Sequence, residues 1–336
     1  MTPVRVAVLG TGRIGRMHAE LLSEQVEGAT LAAVHDAAAD VAEPVGKWLG
    51  VPVAATAEEL YGSDEVDALA ICTSTDTHVD LVVAAAAAGK AILCEKPISL
   101  DLAEVDRALE AVERAGVLFQ VGFNRRFDPA HQSVRDAVAA GSIGDVHLVR
   151  ISSRDPAPPP LEYARHSGGL FLDMTIHDFD MAQYVTGSDV VEVFARGAVR
   201  ITPELEELGD VDTAVVTLVH ESGAMTVIDN SRQAVYGFDQ RVEAFGSKGM
   251  AASENPLAHT GLVRTKDGTQ AATLPYFFLE RYVPSYLREW DAFVNAYRNG
   301  LPSPVEGAAG RAPLAIGLAA LRSHREGRPV PVDEIG

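Results

Sequence analysis

One glycine-rich segment near the N-terminus constrains the fold of this chain more than any other feature. It reads Gly10-Thr11-Gly12-Arg13-Ile14-Gly15 and fits the spacing G-x-G-x-x-G. The segment follows an apolar run at residues 4–9 and precedes a helical stretch at 14–25. There the first glycine permits a tight turn, the second lets the backbone approach a pyrophosphate, and the third lets helix and strand pack closely. An ordinary glycine-rich turn is the alternative, but the flanking strand and helix favour a dinucleotide site.

Apolar runs and helical stretches alternate through the first 123 residues. Strands are predicted at residues 4–9, 30–35, 66–72, 91–94 and 117–123, with helices at 14–25, 41–49, 77–88 and 102–115. Because these strands lack period-2 alternation, they are typical of a parallel sheet covered by helices on both faces. We therefore predict an α/β protein in which residues 1–123 form a doubly wound Rossmann domain.

The pattern changes after residue 123. Apolar and polar side chains alternate more regularly than in the first 123 residues in four segments, 146–152, 213–219, 225–231 and 241–245. Helices are predicted at 129–140, 285–299 and 310–325, and residues 155–160, with four prolines, form a loop. We predict a second α/β domain, residues 124–336, with a largely antiparallel sheet that has one open face.

Composition excludes several classes of protein. The 336 residues carry 28 Lys and Arg against 47 Asp and Glu, a net charge of −19, so nucleic acid is not an expected partner. No apolar run reaches the ~18 residues that span a bilayer. The N-terminus starts directly with a strand, so we expect a cytoplasmic protein without a membrane partner. Cys72 and Cys94 lie in apolar runs and indicate buried thiols in a reducing compartment, and no Cys/His cluster has zinc spacing.

Asp36 indicates which dinucleotide is bound. It ends the second predicted strand, 21 residues after Gly15, where an acid can bind the ribose hydroxyls of the adenosine half. Residues 37–39 are all alanine, so no Arg or Lys follows to neutralise the 2′-phosphate of NADP. The position favours NAD as the cofactor, and a helix N-cap is the alternative role for Asp36.

The sequence Glu95-Lys96-Pro97 follows the fourth predicted strand. Residues at the carboxyl ends of parallel strands face the ligand crevice, so the Lys96 ammonium can lie near a bound substrate. A surface lysine in a turn is the alternative. It is disfavoured because Lys96 directly follows an apolar strand and Pro97 restricts its backbone.

A second polar cluster lies in residues 167–180. Asp173 and His177 are four residues apart, so a helix would place both on one face, with Asp180 close to that face. His177 can accept a hydroxyl proton while Asp173 orients it. Metal ligation by these three side chains is one alternative, and a histidine with only a structural hydrogen bond is another.

These motifs together resemble the family of glucose-fructose oxidoreductase, inositol dehydrogenase and MocA-like (Gfo/Idh/MocA) proteins, and within it the inositol 2-dehydrogenase branch. The resemblance rests on residues 10–15, 95–97, 122–128, 173–180, 230–246 and 277–282, which occur in the family order. It implies an NAD-binding Rossmann domain, a C-terminal domain for substrate binding and oligomerisation, and commonly a homotetramer.

The resemblance also implies a role for each site residue. Catalysis would fall on Lys96, Asp173 and His177, with no metal. The nicotinamide side of NAD would be lined by Thr73, Ser74 and Glu95, and Lys96 would also contact the cofactor. The substrate would meet Arg126, Asp155, Asp180, Tyr236 and Tyr282, although the proline-rich residues 156–160 can alter the pocket beside Asp155.

The resulting hypothesis is NAD-dependent oxidation of one secondary hydroxyl of a cyclic polyol, myo-inositol to 2-keto-myo-inositol (scyllo-inosose). His177 takes the hydroxyl proton, Lys96 stabilises charge on the reacting oxygen, and Asp173 fixes the His177 tautomer. Dehydrogenation of a sugar or of another inositol isomer is the alternative within the family. A non-catalytic NAD-binding regulator is the alternative outside it, and the joint presence of the three catalytic residues argues against that role.

Overall fold

The computed structural model describes residues 2–336 and divides into two compact units. The first unit comprises Met1–Asn124 and Ser285–Leu314, and the second comprises Arg125–Pro284 and Ala315–Gly336. The chain therefore passes twice through each unit. Within the described residues, no helix combines the length and the apolar character that crossing a membrane requires.

A parallel sheet forms the centre of the first unit. Its strands are β1 (Val4–Leu9), β2 (Ala29–His35), β3 (Ala68–Ile71), β4 (Ala91–Glu95) and β5 (Phe119–Gly122). The helices of this stretch are α1 (Arg13–Glu24), α2 (Ala39–Leu49), α3 (Ala57–Tyr61), α4 (Thr75–Ala87) and α5 (Leu102–Ala115). The strand order is β2-β1-β3-β4-β5, and every pairing is parallel. The predicted α/β fold is confirmed, and the order reverses between β1 and β3, where such sheets bind ligands.

Burial explains why the strand pattern could be recognised. Every residue of β3, β4 and β5 is buried, which is why these strands appear as continuous apolar runs in the sequence. Helix α3 escaped prediction because it is only five residues long.

A larger sheet forms the centre of the second unit. The remaining strands are β6 (Val146–Arg154), β7 (Val190–Ala198), β8 (Thr213–His220), β9 (Met225–Ser231), β10 (Asp239–Gly246), β11 (Gly249–Ser253), β12 (Leu262–Thr265), β13 (Gly268–Ala271) and β14 (Val330–Pro331). The remaining helices are α6 (Pro129–Ala139), α7 (Leu161–His166), α8 (Ile176–Thr186), α9 (Phe278–Arg281), α10 (Val283–Asn299) and α11 (Gly307–Glu326). The seven-stranded sheet has the order β11-β10-β6-β9-β8-β7-β14. All its pairings are antiparallel except β6 with β9, so the predicted largely antiparallel sheet is confirmed.

The two faces of this sheet differ. Ile151, Val216 and Val242 point to one face, where they join a buried core that includes Phe179 of α8. The residues between them point to the opposite face, as the period-2 alternation predicts. The sheet therefore buries one face within its own unit and leaves the other open.

Helix α10 packs in the first unit, whereas the sequence analysis placed all residues after 123 in one domain. Trp290 and Phe293 are completely buried there. The Gln120 side-chain amide of β5 donates to the Glu289 carbonyl at 3.2 Å, and the Trp290 indole donates to His18 of α1 at 2.9 Å. An amphipathic pattern shows that a helix face is buried, but not which sheet covers it.

Candidate active site

The glycine-rich segment forms a turn that fits a pyrophosphate. Gly10 has a φ of +85°, and a Cβ there would lie 2.7 Å from the Cys72 carbonyl group. A Cβ at Gly15 would lie 1.8 Å from the Gly10 carbonyl oxygen, so β1 and α1 approach too closely for a side chain. Beside Gly12 there is open space, and no side chain caps the N-terminus of α1. These features suit an anion bound by backbone N–H groups.

Asp36 lies directly beside this turn. Its Oδ2 accepts the Thr11 N–H at 2.7 Å, and its Oδ1 accepts the Ala38 N–H at 3.0 Å. Helix α2 begins only after Ala38, so Asp36 does not cap it. The carboxylate is thus held next to the phosphate-binding turn, as the NAD hypothesis requires.

The ends of β3 and β4 are joined by a buried histidine that the sequence analysis missed. His78 Nδ1 lies 2.9 Å from the Pro97 carbonyl oxygen, and Nε2 lies 3.1 Å from the Thr73 carbonyl oxygen. Ser74 precedes α4, and the Thr73 and Thr77 hydroxyls are 2.6 Å apart. Burial lowers the pKa of His78, which favours the neutral ring with one N–H, so His78 donates to one of these two carbonyls and packs against the other.

A hydrogen-bonded chain supports Glu95, the last residue of β4. Because an indole N–H only donates, the Trp290 bond leaves His18 Nδ1 as an acceptor. His18 Nε2 then carries the proton and donates to Glu95 Oε1 at 2.9 Å. His18 and Trp290 lie 272 positions apart in the chain, so no local motif could reveal the contact.

Glu289 is an unusual neighbour of this hydrogen-bonded series of side chains. It is completely buried, and neither carboxyl oxygen has a hydrogen-bond partner among the residues described. Burial raises the pKa of Glu289 far above its usual range, and the charge of Glu95 raises it further. The neutral form of Glu289 is therefore strongly favoured in the folded protein.

The predicted Asp-His helix is interrupted in the second unit. Asp173 lies in a π-helical turn, Leu170–Met174, whereas His177 lies in the first turn of α8. The Thr175 N–H donates to the Leu170 carbonyl at 2.9 Å, which closes the wider turn. The expected single α-helical face is therefore incorrect, because helical periodicity in a sequence does not distinguish an α-turn from a π-turn. Such turns are frequent at functional sites.

Asp173 is held from two directions. The Tyr163 hydroxyl donates to Oδ1 at 2.8 Å. The Arg232 guanidinium donates to Oδ2 through both terminal nitrogens, at 3.2 and 3.3 Å. Arg232 also lies 3.6 Å from Asp155 Oδ2. Sequence reasoning placed Asp155 and Asp173 in the site but missed Tyr163 and Arg232, although Arg232 lies within the family motif at residues 230–246.

Two further ion pairs lie on α8. Arg126 binds both oxygens of Asp180, so two of the residues that the resemblance assigns to the substrate pair with each other. Arg125 donates to Asp178 Oδ1 at 2.7 Å, and the Asn230 amide donates to Oδ2 at 2.8 Å. Burial raises the pKa of Asp178, and the charge of Arg125 opposes that shift. The Asp178 network, which the sequence analysis did not predict, anchors the residue next to His177.

The two tyrosines assigned by resemblance occupy different surroundings. Tyr236 is half exposed, and its hydroxyl donates to Asp239 Oδ2 at 2.7 Å and accepts from Arg154 at 3.0 Å. Tyr282 is buried, and the Arg125 guanidinium carbon lies 5.8 Å from its ring centre. Tyr282 therefore adjoins the Arg125 network, whereas Tyr236 belongs to a separate polar cluster with Arg154.

Two sequence profiles of one family match this chain. The profile described as an oxidoreductase family with an NAD-binding Rossmann fold matches residues 4–123. The profile described as the GFO/IDH/MocA C-terminal domain matches residues 131–252. Both halves of the chain thus match the family.

Individual relatives agree along the full length. The chain is 48% identical over 333 residues to the myo-inositol 2-dehydrogenase of Thermotoga maritima, with 99% of each chain covered. A solved myo-inositol dehydrogenase from Corynebacterium glutamicum has a TM-score of 0.93 at 38% identity, with 98% of each chain covered. A scyllo-inositol dehydrogenase from Lactobacillus casei, solved with NAD(H) and scyllo-inositol, has a TM-score of 0.93 at 28% identity, covering 99% of this chain and 100% of that one.

Proposed function

The chain belongs to the GFO/IDH/MocA family of oxidoreductases, and from this membership we propose that it is an NAD-dependent inositol 2-dehydrogenase. It oxidises one ring hydroxyl of myo-inositol to give 2-keto-myo-inositol. The observation that carries the proposal is the 48% identity, along 99% of both chains, to a myo-inositol 2-dehydrogenase. Relatives named for scyllo-inositol make the choice of isomer a matter for experiment.

The first unit supplies the groups that would hold NAD. The turn at residues 10–15 would bind the pyrophosphate, because its backbone leaves open space beside Gly12. Asp36 would accept hydrogen bonds from the adenosine ribose, while Thr73, Ser74 and Glu95 would line the nicotinamide side. Bound NAD supplies the acceptor for the hydrogen that leaves carbon as hydride. We accordingly assign cofactor binding to residues 1–123 and substrate binding to residues 124–336, with 285–314 supporting the first unit.

Three side chains carry out the acid–base and electrostatic chemistry. His177 takes the proton of the reacting hydroxyl at an imidazole nitrogen. Lys96 donates a hydrogen bond to the same oxygen and stabilises the alkoxide-like charge that develops there. Asp173 fixes the tautomer of His177 and offsets its positive charge after proton uptake.

The remaining hydroxyls of the substrate need polar partners. A buried hydroxyl without a partner costs a few kcal/mol, so a polyol site requires several fixed donors and acceptors. Arg126 and Asp180, together with Asp155, provide side chains of this kind in the second unit. Tyr236 and Tyr282 would contribute further hydroxyl groups.

The proposal is tested by following NADH formation with a panel of substrates. Myo-inositol, scyllo-inositol, glucose and xylose are compared with NAD and with NADP. We expect kcat/KM for an inositol to exceed that for either aldose at least ~10-fold, a difference of about 1.4 kcal/mol. Turnover of aldoses but of no inositol would change the substrate assignment. NADH binding without turnover of any substrate would indicate a regulator instead.

We infer that the open face of the large sheet is the surface that builds a homotetramer. Strand register places Val219, Met225, Leu148, Phe245 and Met250 side by side across neighbouring strands. Met225, Phe245 and Met250 are 47%, 49% and 52% exposed, so the row is an apolar patch of the kind that copies of a chain cover. Light scattering of wild type should give four times the chain mass. Phe245→Glu should lower it, whereas Val263→Glu on the separate β12 should not.

We also infer a cytoplasmic location. Cys72 and Cys94 are free and buried, and burial raises the pKa of both thiols, so they suit a compartment that keeps thiols reduced. Fractionation of the producing cells, followed by immunoblotting, tests the assignment. Recovery with the membrane or secreted fraction would contradict it.

A further inference from the structure

The second unit contains a buried arginine that none of the assigned roles uses. Arg232 follows β9 and is 4% exposed. Its guanidinium contacts Asp173 through two hydrogen bonds and Asp155 through an ion pair. Asp155 directly follows β6, and Asp173 lies in the π-turn. One side chain therefore joins carboxylates from two separate elements.

Backbone hydrogen bonds fix Asp155 beside Arg232. The Asp155 N–H donates to the Ser231 carbonyl at 2.9 Å, and its carbonyl accepts the Ala234 N–H at 2.6 Å. The Arg232 N–H donates to the Asp212 carbonyl at 2.8 Å. Because peptide groups on both sides of Arg232 are engaged, its approach to Asp155 is set by the main chain.

Asp155 lies among more carboxylates than guanidinium groups, and the loss of Arg232 would leave a single guanidinium there. Asp173 and Asp178 face it as negative groups, while Arg125 and Arg232 face it as positive groups. Burial raises the pKa of Asp155 to about 6, Arg232 and Arg125 oppose this shift, and the neighbouring carboxylates add to it. Three carboxylates thus share two guanidinium groups, and Arg232 is the one in contact with two of them.

We propose that Arg232 is a positioning residue of the polyol site, whose guanidinium bridges Asp155 and Asp173 so that Asp155 presents a fixed hydrogen-bond acceptor to the substrate and Asp173 keeps the orientation that His177 requires. The inference rests on the proposed function, since it takes polyol hydroxyls as the groups bound. Tyr163 holds the other oxygen of Asp173, so the carboxylate is fixed from two directions. The planar fork of arginine holds its donors in fixed directions and suits this bridge, whereas the lysine ammonium is a compact charge on a flexible stem and does not fix the two carboxylates relative to each other.

Arg232→Met tests the bridge through the pH profile of kcat/KM. In wild type, the acid limb of kcat/KM for myo-inositol, its fall at low pH, should contain a contribution at about pH 6 from Asp155, whose protonated carboxyl loses an acceptor site, beside the contribution of the base His177. Removing the guanidinium favours the neutral carboxyl, so the variant's acid limb should move up by about 1 pH unit or more. The displaced Asp173 should lower kcat on the order of 10²-fold. NADH affinity should stay near wild type.

Arg232→Lys separates charge from geometry. We expect the acid limb to return towards its wild-type position, because a positive charge is again present. The value of kcat should stay at least ~10-fold low, because the flexible lysine side chain does not hold the two carboxylates in the geometry that the planar guanidinium imposes. Complete rescue by lysine would overturn the bridge, and so would an Arg232→Met variant with wild-type kcat and acid limb.

Arg5 provides a matched control. Its guanidinium also joins two carboxylates, Asp67 at 2.8 Å and Glu65 at 2.8 Å, but in the first unit. Arg5→Met should lower the melting temperature while the acid limb stays in place. If both variants lost only thermal stability, Arg232 would be a structural arginine and the proposal would fail.

A measurement without turnover keeps this test separate from the proposed function. The free energy of unfolding is measured from about pH 4 to pH 8 for the protein with Asp155 and for the Asp155→Asn variant. The difference between the two reports the ionisation of Asp155 directly. Its midpoint should lie higher when Arg232 is replaced by Met. An unchanged midpoint overturns the bridge even in an active enzyme. If the wild-type enzyme were inactive on every polyol but the Arg232→Met midpoint were still shifted, the proposed function would be refuted and the bridge would be supported.

Discussion

Both oxygens of the Asp180 carboxylate accept hydrogen bonds from the Arg126 guanidinium, at 2.6, 2.9 and 3.0 Å. The Asp180 side chain is 1% exposed and that of Arg126 is 17% exposed. Burial raises the pKa of Asp180, and the charge of Arg126 opposes this shift. The arginine is thereby held in one orientation by a carboxylate that almost no water reaches.

Asp180→Asn should therefore act on substrate binding. The amide keeps the shape but cannot accept from the guanidinium at both positions, so Arg126 loses its fixed orientation. We expect KM for myo-inositol to rise at least ~10-fold, a loss of about 1.4 kcal/mol, with a smaller change in kcat. Asp106→Asn is the control, because Asp106 pairs with Arg311 at the surface. An unchanged KM in Asp180→Asn would remove the pair from the substrate site.

Asp36→Ala should weaken the preference for NAD. In wild type the Asp36 carboxylate lies beside the phosphate-binding turn and would repel a 2′-phosphate, so we expect NAD to be preferred at least ~10-fold. Initial rates with NAD and NADP at matched subsaturating concentrations measure the ratio. Asp40→Ala, an exposed position in the first turn of α2, should leave it unchanged. Equal wild-type rates with the two cofactors would refute the role of Asp36.

His177→Ala and Asp173→Asn should both lower turnover while NADH still binds. General acid–base groups typically contribute ~10²- to 10⁴-fold to rate, and we expect losses in that range. Fluorescence titration with NADH checks that the cofactor site is intact. The exposed His259 gives a control, since His259→Ala should have normal turnover. Near-normal kcat in His177→Ala would mean that another group is the base.

Lys96→Met should abolish most turnover with a melting temperature near wild type. The substitution keeps the approximate length of the side chain but removes the charge that stabilises the reacting oxygen. Lys90→Met gives the opposite signature, because Lys90 Nζ donates to the Ser63 and Val66 carbonyls at 2.7 Å and holds a loop. If Lys96→Met instead lost stability and retained most of its rate, Lys96 would be structural.

Glu289→Gln should remove a dependence of stability on pH. The raised pKa means that the folded chain keeps a proton that the unfolded chain releases above about pH 4.3. The contribution of Glu289 to the free energy of unfolding is therefore largest below that pH. It falls by about 1.4 kcal/mol for each pH unit as the pH rises towards the pKa of the folded state. Glutamine matches the neutral acid and does not titrate. Urea denaturation at several pH values should show the variant's advantage growing with pH, and the exposed Glu24→Gln should show none.

Local patterns determined the first half of the fold and the cofactor turn. The turn at residues 10–15 needs glycine for reasons internal to the segment, a φ of +85° at Gly10 and a close approach at Gly15. Parallel strands buried on both faces must be continuously apolar, so their places were visible in the sequence. Asp36 and Lys96 could be predicted as ligand-facing residues because strand ends define the ligand edge of such a sheet, and their roles stay predictions.

Only the tertiary structure decided which distant residues meet. His18 and Trp290 are joined across 272 positions, and Arg232 reaches Asp173 across 59. Helix α10 looked like part of the second domain, yet it packs on the Rossmann sheet, because amphipathicity does not specify the partner of an apolar face. The charges of Asp155 and Glu289 likewise depend on burial and on neighbours from other elements, which a sequence does not encode locally.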